Sequence, residues 1–255
     1  MKKILKQIYL FFLKSLSPKV ESSKYQINHY GTNYGGYDII DNLEIKNVIS
    51  CGLGEDASFD VEILNRKNCK VYMVDPTPKA IKHYEQIRNN FGSKRKFEYS
   101  NDGKQPVESY NLEKINETNF ILIDKAIYNS SKKWLKLYQP LNENFVSASL
   151  NQIKNHNQKF FYAEIITLDE IIKQYKVHNI DLLKLDIEGA EVDVIHDFLK
   201  KNIYPKQLLV EFTNQRTYSL IHHLKIYFVD RKLKKNNYTL VFKNNKGDFT
   251  YLLKK

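Results

Sequence analysis

The run Asn47-Val48-Ile49-Ser50-Cys51 ends, with no linker, on Gly52-Leu53-Gly54-Glu55-Asp56. Apolar residues then recur at helical spacing (Phe59, Ile63, Leu64) from Ala57 to Asn65. A second apolar run, Cys69 to Val74, stops at Asp75-Pro76-Thr77-Pro78, and Lys79 to Asn90 again reads as a helix. Strand, helix, strand, helix with such short turns is the signature of a parallel sheet wound on both faces.

The remaining chain supplies further layers of the same kind. Ahead of the first strand, Tyr34-Gly35-Gly36-Tyr37 reads as a turn. The polar stretch Phe91–Asn119 reads as irregular, with a short edge strand at Phe97–Tyr99. Phe120–Ile127 reads as a third core strand, and Trp134–Tyr138 alternates like an exposed or paired strand. Leu141–Lys159, with Asn144, Ser147, Ser149, Asn151, Asn155 and His156, reads as a long polar loop of the kind that is usually functional or disordered. Ile165–Asp169 leads into a helix ending near Tyr175, with Thr167 or Asp169 as its cap. Ile180–Leu185 is a buried strand, followed by Lys184-Leu185-Asp186-Ile187-Glu188-Gly189-Ala190-Glu191 and an amphipathic run from Val192 to Leu199. Pro205–Phe212 is another strand, ending in Glu211. Tyr218–Lys234 reads as a helix with Leu220, Leu224, Tyr227 and Phe228 inward. Tyr238–Phe242 and Phe249–Leu253 alternate around Lys246-Gly247-Asp248 and close as an antiparallel hairpin. The expected fold is α/β: a Rossmann-like doubly wound, mostly parallel sheet with a C-terminal antiparallel hairpin, preceded by an N-terminal amphipathic helix. Residues 1–24 form that helix and a linker, and residues 25–255 form the domain.

Ile4, Ile8, Phe11, Phe12 and Leu13 make the apolar stripe of the first helix, flanked by Lys2, Lys3, Lys6 and Lys14. The stripe is too short to span a bilayer, and no small-residue cleavage site follows it. Two occupants suit it: the domain or a partner, or an anionic membrane surface contacted through residues 1–16. Lysines and arginines exceed acids by 11, which fits an anionic partner or an unselective lysine-rich composition. Cys51 and Cys69 have no metal-ligand spacing and read as buried thiols of a reducing compartment, placing the chain in the cytoplasm or at a membrane periphery.

Glycines between a strand and a helix let a cofactor approach the backbone, beside free N–H groups of the helix start. Gly52, Gly54 and Ala57 fit G-x-G-x-x-A. Asp75, ending the next strand with Pro76 behind it, is placed to hold the two ribose hydroxyls of a nucleoside. Glu55 and Asp56 would repel a pyrophosphate, yet they suit S-adenosylmethionine, which carries a sulfonium and an amino-acid end. The second acidic turn, Asp186 to Glu191, ends a strand that belongs to the same edge. Acids in the first helical turn, Glu191 and Asp193, also favour the helix dipole. His222 and His223 diverge by ~100° on a helix and cannot serve one site. His196 likewise reads as a surface or packing residue.

Gly52-x-Gly54-Glu55-Asp56-x-Ser58-Phe59-Asp60, Val74-Asp75-Pro76-Thr77-Pro78 and the octapeptide 184–191 together resemble the FkbM-type methyltransferases, a class I S-adenosylmethionine-dependent family. Tyr34-Gly35-Gly36 and Thr167-Leu168-Asp169 fit the same pattern, and the resemblance covers residues 30–253. It implies O-methylation, often of sugars, polyketides or other small hydroxylated acceptors. Carried onto this chain, Gly52 and Gly54 line the methionine part of the cofactor and Glu55 meets its amino group. Asp75 with Pro76 holds the ribose side, and Ala126 sits near the adenine. Asp186 and then Glu188 are the catalytic candidates, as general base or as ligands of Mg²⁺. No dedicated metal-binding set stands out. Thr213 stands where the family often has a histidine, so no role of that histidine transfers. The resulting expectation is an O-methyltransferase acting on a hydroxyl of a sugar or glycan precursor. The competing expectations are a nucleic-acid methyltransferase using the basic surface, an NAD-dependent sugar oxidoreductase or epimerase, and a non-catalytic relative. Absence of an added basic-aromatic cluster speaks against nucleic acid as partner.

Overall fold

A computed structural model describes residues 2–22, 24–129, 131–142, 148–150, 152, 156–212 and 219–254, with the backbone alone for residues 2–6 and 8. Helix α1 (Lys2–Leu16) precedes a short hairpin of β1 (Ile27–Tyr30) and β2 (Tyr37–Ile40). The core then follows as β3 (Asn47–Cys51), α2 (Ser58–Lys67), β4 (Lys70–Val74), α3 (Pro78–Arg88) and β5 (Phe120–Ile123). A small excursion contains β6 (Ala126–Ile127), β7 (Trp134–Tyr138) and β8 (Phe160–Ile166). The chain returns through α4 (Leu168–Tyr175), β9 (Leu182–Leu185), α5 (Glu191–Lys200), β10 (Gln207–Glu211), α6 (Leu220–Lys235), β11 (Tyr238–Lys243) and β12 (Asp248–Leu253).

Among the described residues the main sheet has the order β11-β12-β10-β9-β3-β4-β5. The five strands from β10 to β5 are parallel, and β12 runs antiparallel between β10 and β11. The C-terminal hairpin therefore enters the sheet by its second strand. Both faces are covered, each by its own apolar cluster: Ile49, Leu183 and Phe198 on one side, Val48, Phe59 and Phe120 on the other. Burial on both faces is why these strands read as continuous apolar runs rather than alternating ones. Helix ends follow local chemistry. Thr77 caps α3 and accepts from Ala80 N, with Pro78 in the first turn. Asn68 closes α2 in the left-handed region, its N–H bonded to Leu64 O. Of the two proposed caps of α4, Thr167 holds the position, and the Glu170 carboxylate accepts its N–H at 2.8 Å. Asp169 instead pairs with Lys201 at 2.6 Å.

Several expectations need correction. Phe97–Tyr99 forms no strand, because the Lys96 and Phe97 N–H groups both turn onto Glu108 O. The run Phe120–Ile127 is two strands: after Ile123 the chain leaves the main sheet, and Ala126–Ile127 pairs with β8 instead. On α6 the buried stripe is Ile226, Val229 and Leu233, while Phe228 is 62% exposed. Asp230 shares that stripe and accepts from Tyr251 Oη, so a polar residue hid the inward face from an apolar count. Tyr218 lies outside the described residues, as do Asn144, Ser147, Asn151 and Asn155 of the polar loop. Helix α1 lies against α6 and buries Leu13, leaving Phe11 and Phe12 exposed. The side chains of Lys2, Lys3, Ile4, Leu5, Lys6 and Ile8 are outside the description. No helix among the described residues is long and apolar enough to cross a membrane. Cys51 and Cys69 are free and buried, and burial pushes both thiols up, Cys69 to about 12.

Candidate active site

The sheet order reverses between β3 and β9, and in open α/β sheets that is where a crevice opens above the strand ends. Here the two turns touch. Asp186 N–H donates to Cys51 O at 3.1 Å, and a Cβ added to Gly52 would lie 2.0 Å from Asp186 O. Gly52 also has φ +91°, so both space and conformation demand glycine. Asp75 fixes the turn from the next strand: Oδ2 accepts from Leu53 N at 2.9 Å and Gly54 N at 3.0 Å, and Oδ1 from Thr77 N at 2.8 Å. Lys184 clamps it from the other side, donating from Nζ to Gly52 O at 2.6 Å, 3.7 Å from Asp186 Oδ2. The buried lysine thus holds the glycine turn. Its charge also acts on the buried Asp60, whose carboxyl is pushed to about 6 by burial against the pull of Lys184.

Asp56 ties the β1–β2 connection down, accepting from Thr32 Oγ1 at 2.6 Å and from Ser58 N at 2.9 Å. This places Tyr34 and Gly35 on the rim of the crevice. Glu55 lines it too, with Lys104 Nζ at 3.4 Å from its carboxylate.

The acidic turn is built differently. Glu188 adopts φ +51° ahead of Gly189 at +104°. The buried Glu191 accepts from Gly189 N at 2.9 Å at the start of α5, and desolvation pushes it up to about 7. Asp193 accepts from Tyr128 Oη at 2.8 Å. These two acids shape the turn and the helix start, as first-turn acids do. Asp186 and Glu188 face the crevice.

One cavity of about 670 Å³ joins these parts. Gly52, Gly54, Glu55, Asp75, Pro76, Ala126, Asp186 and Glu188 all line it. One wall is apolar, from Ala126, Ile127, Leu135, Leu137 and Leu150 of the small sheet and its return. Another part of the lining is acidic, where Glu211 joins Asp186 and Glu188. Glu211 is raised to about 8, first by burial, then by the Asp186 and Asp248 charges and a hydrogen bond with Asp186. Among the described residues, no group of three or more His, Cys, Asp or Glu is arranged to hold a metal ion.

The FkbM methyltransferase domain family matches residues 29–240. The chain belongs to that family. It is an S-adenosylmethionine-dependent methyltransferase, and the NAD-dependent and non-catalytic alternatives fall away. No curated protein matches this FkbM methyltransferase. Among solved structures, a candidate caffeoyl-CoA O-methyltransferase from Staphylococcus aureus is similar at 8% identity and TM-score 0.45, over 83% of this chain and 77% of that one. TYW2 of M. jannaschii, in complex with AdoMet, is similar at 14% identity and TM-score 0.28, over 92% and 87%.

In this FkbM methyltransferase the sequence reading missed Glu211, Asp248 and Tyr37. Glu211 was visible only as a strand end. Its value comes from the parallel register, in which Val210 pairs with Leu185, so Glu211 and Asp186 are neighbours. Asp248 faces Glu211 across the antiparallel β12. The apolar wall was also missed, because no motif marks an excursion strand as cavity lining. Thr213 lies outside the described residues.

Proposed function

We propose that this methyltransferase acts on a hydroxyl group of a sugar or glycan precursor. The observation that carries the reading is the acidic end of the cavity, where Asp186, Glu188 and Glu211 converge. Carboxylates accept hydrogen bonds from several hydroxyls at once. They repel a phosphate backbone, which argues against a nucleic-acid acceptor despite the net charge of +11.

The lining suits the cofactor. The cavity is of cofactor size, its apolar wall suits a purine, and its acids suit a cationic ligand. Backbone of Gly52 and Gly54 would follow the methionine part, Glu55 would meet the amino group, Asp75 and Pro76 the ribose, and Ala126 the adenine. When bound, the cofactor supplies an electrophilic methyl group on sulfur. Asp186 takes the proton from the attacking hydroxyl, and Glu188 holds the acceptor oxygen in line. Positioning of this kind contributes much of the rate in a displacement between two bound partners. We assign proton removal to Asp186 rather than to a Mg²⁺-bound alkoxide.

Methyl transfer from labelled cofactor is measured against neutral saccharides, nucleotide sugars and RNA, with and without EDTA. Transfer to a saccharide, insensitive to EDTA, is expected. Methylated RNA with unmodified saccharides would overturn the acceptor class, and abolition by EDTA the metal-free assignment. Asp186→Asn should retain cofactor binding and lose roughly 10²–10⁴-fold in kcat. Unchanged kcat removes Asp186 from the chemistry.

A further inference from the structure

Glu211 ends β10, one register step beyond the Val210–Leu185 pair, so its carboxyl stands beside that of Asp186. Asp248 faces it from β12 and Glu188 from the turn before α5. Tyr34 and Tyr37 face the same acids from the N-terminal hairpin, and the Tyr37 hydroxyl is buried against Asp186. Two cations stand nearby: Lys184 donates to Gly52 O and lies 3.7 Å from Asp186 Oδ2, and Lys246 sits by Asp248 and donates to Asn33 O. Carboxyls this close and this buried do not all ionise together. Burial and the facing acids push Glu211 up, and the hydrogen-bonded pair it forms with Asp186 shares a proton at neutral pH. The mechanism above gives that proton no role.

We propose that Glu211 holds a proton against the Asp186 carboxylate in the cofactor-free protein and releases it to solvent when a sulfonium enters the cavity. The pair thereby distinguishes the cationic cofactor from its neutral thioether product. The inference rests on the cofactor reading of the cavity. Gly52 touches Asp186, so a cofactor whose methionine part follows the glycine turn brings its positive sulfur to this acidic end. A cation there favours the ionised form of both acids. After methyl transfer the sulfur is neutral, the pair takes up a proton again, and the product loses the attraction that held the cofactor. The sulfonium lowers the ammonium pKa of the cofactor below that of the product, so the pH dependence of their affinity ratio is read against Glu211→Gln, in which only this ligand titration remains.

The test needs no acceptor. S-adenosylmethionine and S-adenosylhomocysteine are titrated by calorimetry at pH 7 and pH 9, in buffers of different ionisation enthalpy. At pH 7 the cofactor should release on the order of one proton and the homocysteine product close to none. At pH 9 the release should vanish, and the cofactor-to-product affinity ratio, taken relative to that of Glu211→Gln, should rise roughly tenfold from pH 7 to pH 9. Glu211→Gln keeps a neutral donor beside Asp186. It should bind the product as wild type does, which reports its folding, yet bind the cofactor with no proton release. Cofactor binding independent of buffer in the wild type overturns the inference alone. Failure of the wild type to bind the cofactor overturns the cofactor reading and the inference with it. If Glu211→Gln does not fold, the wild-type proton release at pH 7 decides: cofactor binding without release overturns the proposal.

Discussion

The turn after β3 and the turn after β9 lie side by side at the centre of the sheet, and both lead from a buried parallel strand into a helix. Both also pass through positive φ. In the first, the positions are Gly52 at +91° and Gly54 at +57°. In the second, they are Glu188 at +51° and Gly189 at +104°. A glycine adopts that conformation at no steric cost, whereas a side chain in the left-handed region costs roughly 1–2 kcal/mol. The first turn has removed every side chain that would obstruct a ligand or a neighbour. The second keeps one, at a cost, on the face that lines the cavity. Strain retained at a cavity wall points to a side chain that is wanted there. On the proposed mechanism the glycine turn is a surface to bind against, and the acidic turn a surface that acts.

The sharpest break in that comparison is Gly52→Ala. The new Cβ meets the Asp186 carbonyl at 2.0 Å, and the residue must hold φ +91°. Strain and overpacking together should cost roughly 4 kcal/mol. Because the obstruction falls on Asp186 itself, both turns move. The melting temperature should drop sharply, and cofactor titration of any folded remainder should show no binding. A variant with wild-type stability would mean that the two turns are not in contact in solution.

Asp75→Asn comes next and touches only the glycine turn. Both oxygens of Asp75 accept from backbone N–H groups, Oδ2 from Leu53 and Gly54 and Oδ1 from Thr77. An asparagine amide therefore faces an N–H donor with its own NH₂ in either orientation. The loss should be roughly 2–3 kcal/mol in denaturant unfolding, with weakened cofactor binding, although the substitution is nearly isosteric. Stability unchanged at the level of measurement would show that the carboxylate does not brace the turn.

These two sites also show how far the sequence could be read. The β-α-β-α order, Gly52, Gly54 and Asp75 were legible, because a buried strand, a tight turn and a capped helix each leave a local mark. Asp186 and Glu188 were legible as the end of an apolar run in an acidic cluster. What Asp75 binds in this structure was not, since its partners are backbone amides 21 and 22 residues away. Glu211 and Asp248 were illegible for the same reason. Their proximity to Asp186 is a property of sheet register, and β12 inserts beside β10 although β11 precedes it in the chain. The split of Phe120–Ile127 is a pairing choice made by β8, whose partner residues lie 39 positions further on, and nothing in the run itself records it.

Within the acidic turn, Glu191→Gln isolates the structural acid from the chemical ones. Glu191 is buried and raised from its ordinary 4.5 to about 7. A carboxyl whose folded pKa is raised binds more protons folded than unfolded, so it lowers stability as pH climbs from the unfolded value to the folded one. The native protein should therefore lose stability from Glu191 between pH 4.5 and about 7, and glutamine removes that loss while still accepting from Gly189 N. At pH 5 variant and wild type should melt within a degree or two of each other. At pH 8 the variant should be more stable by about 2 kcal/mol. Equal pH dependence of the two melting curves would take Glu191 out of the account.

The smallest effect belongs to Glu188→Gly, and its sign is the informative part. Glycine relieves the left-handed strain, worth roughly 1–2 kcal/mol. It also widens the unfolded ensemble, which costs roughly 0.4–1 kcal/mol. The net should be a slight gain in stability, about 0.5 kcal/mol, at a position where substitutions ordinarily lose. If the side chain is kept for the chemistry, that gain comes with lower turnover on whichever saccharide the acceptor screen yields, while cofactor affinity stays near wild type. Gain in stability with turnover intact would separate strain from function at this turn, and Asp186 would then stand alone as the acid that acts.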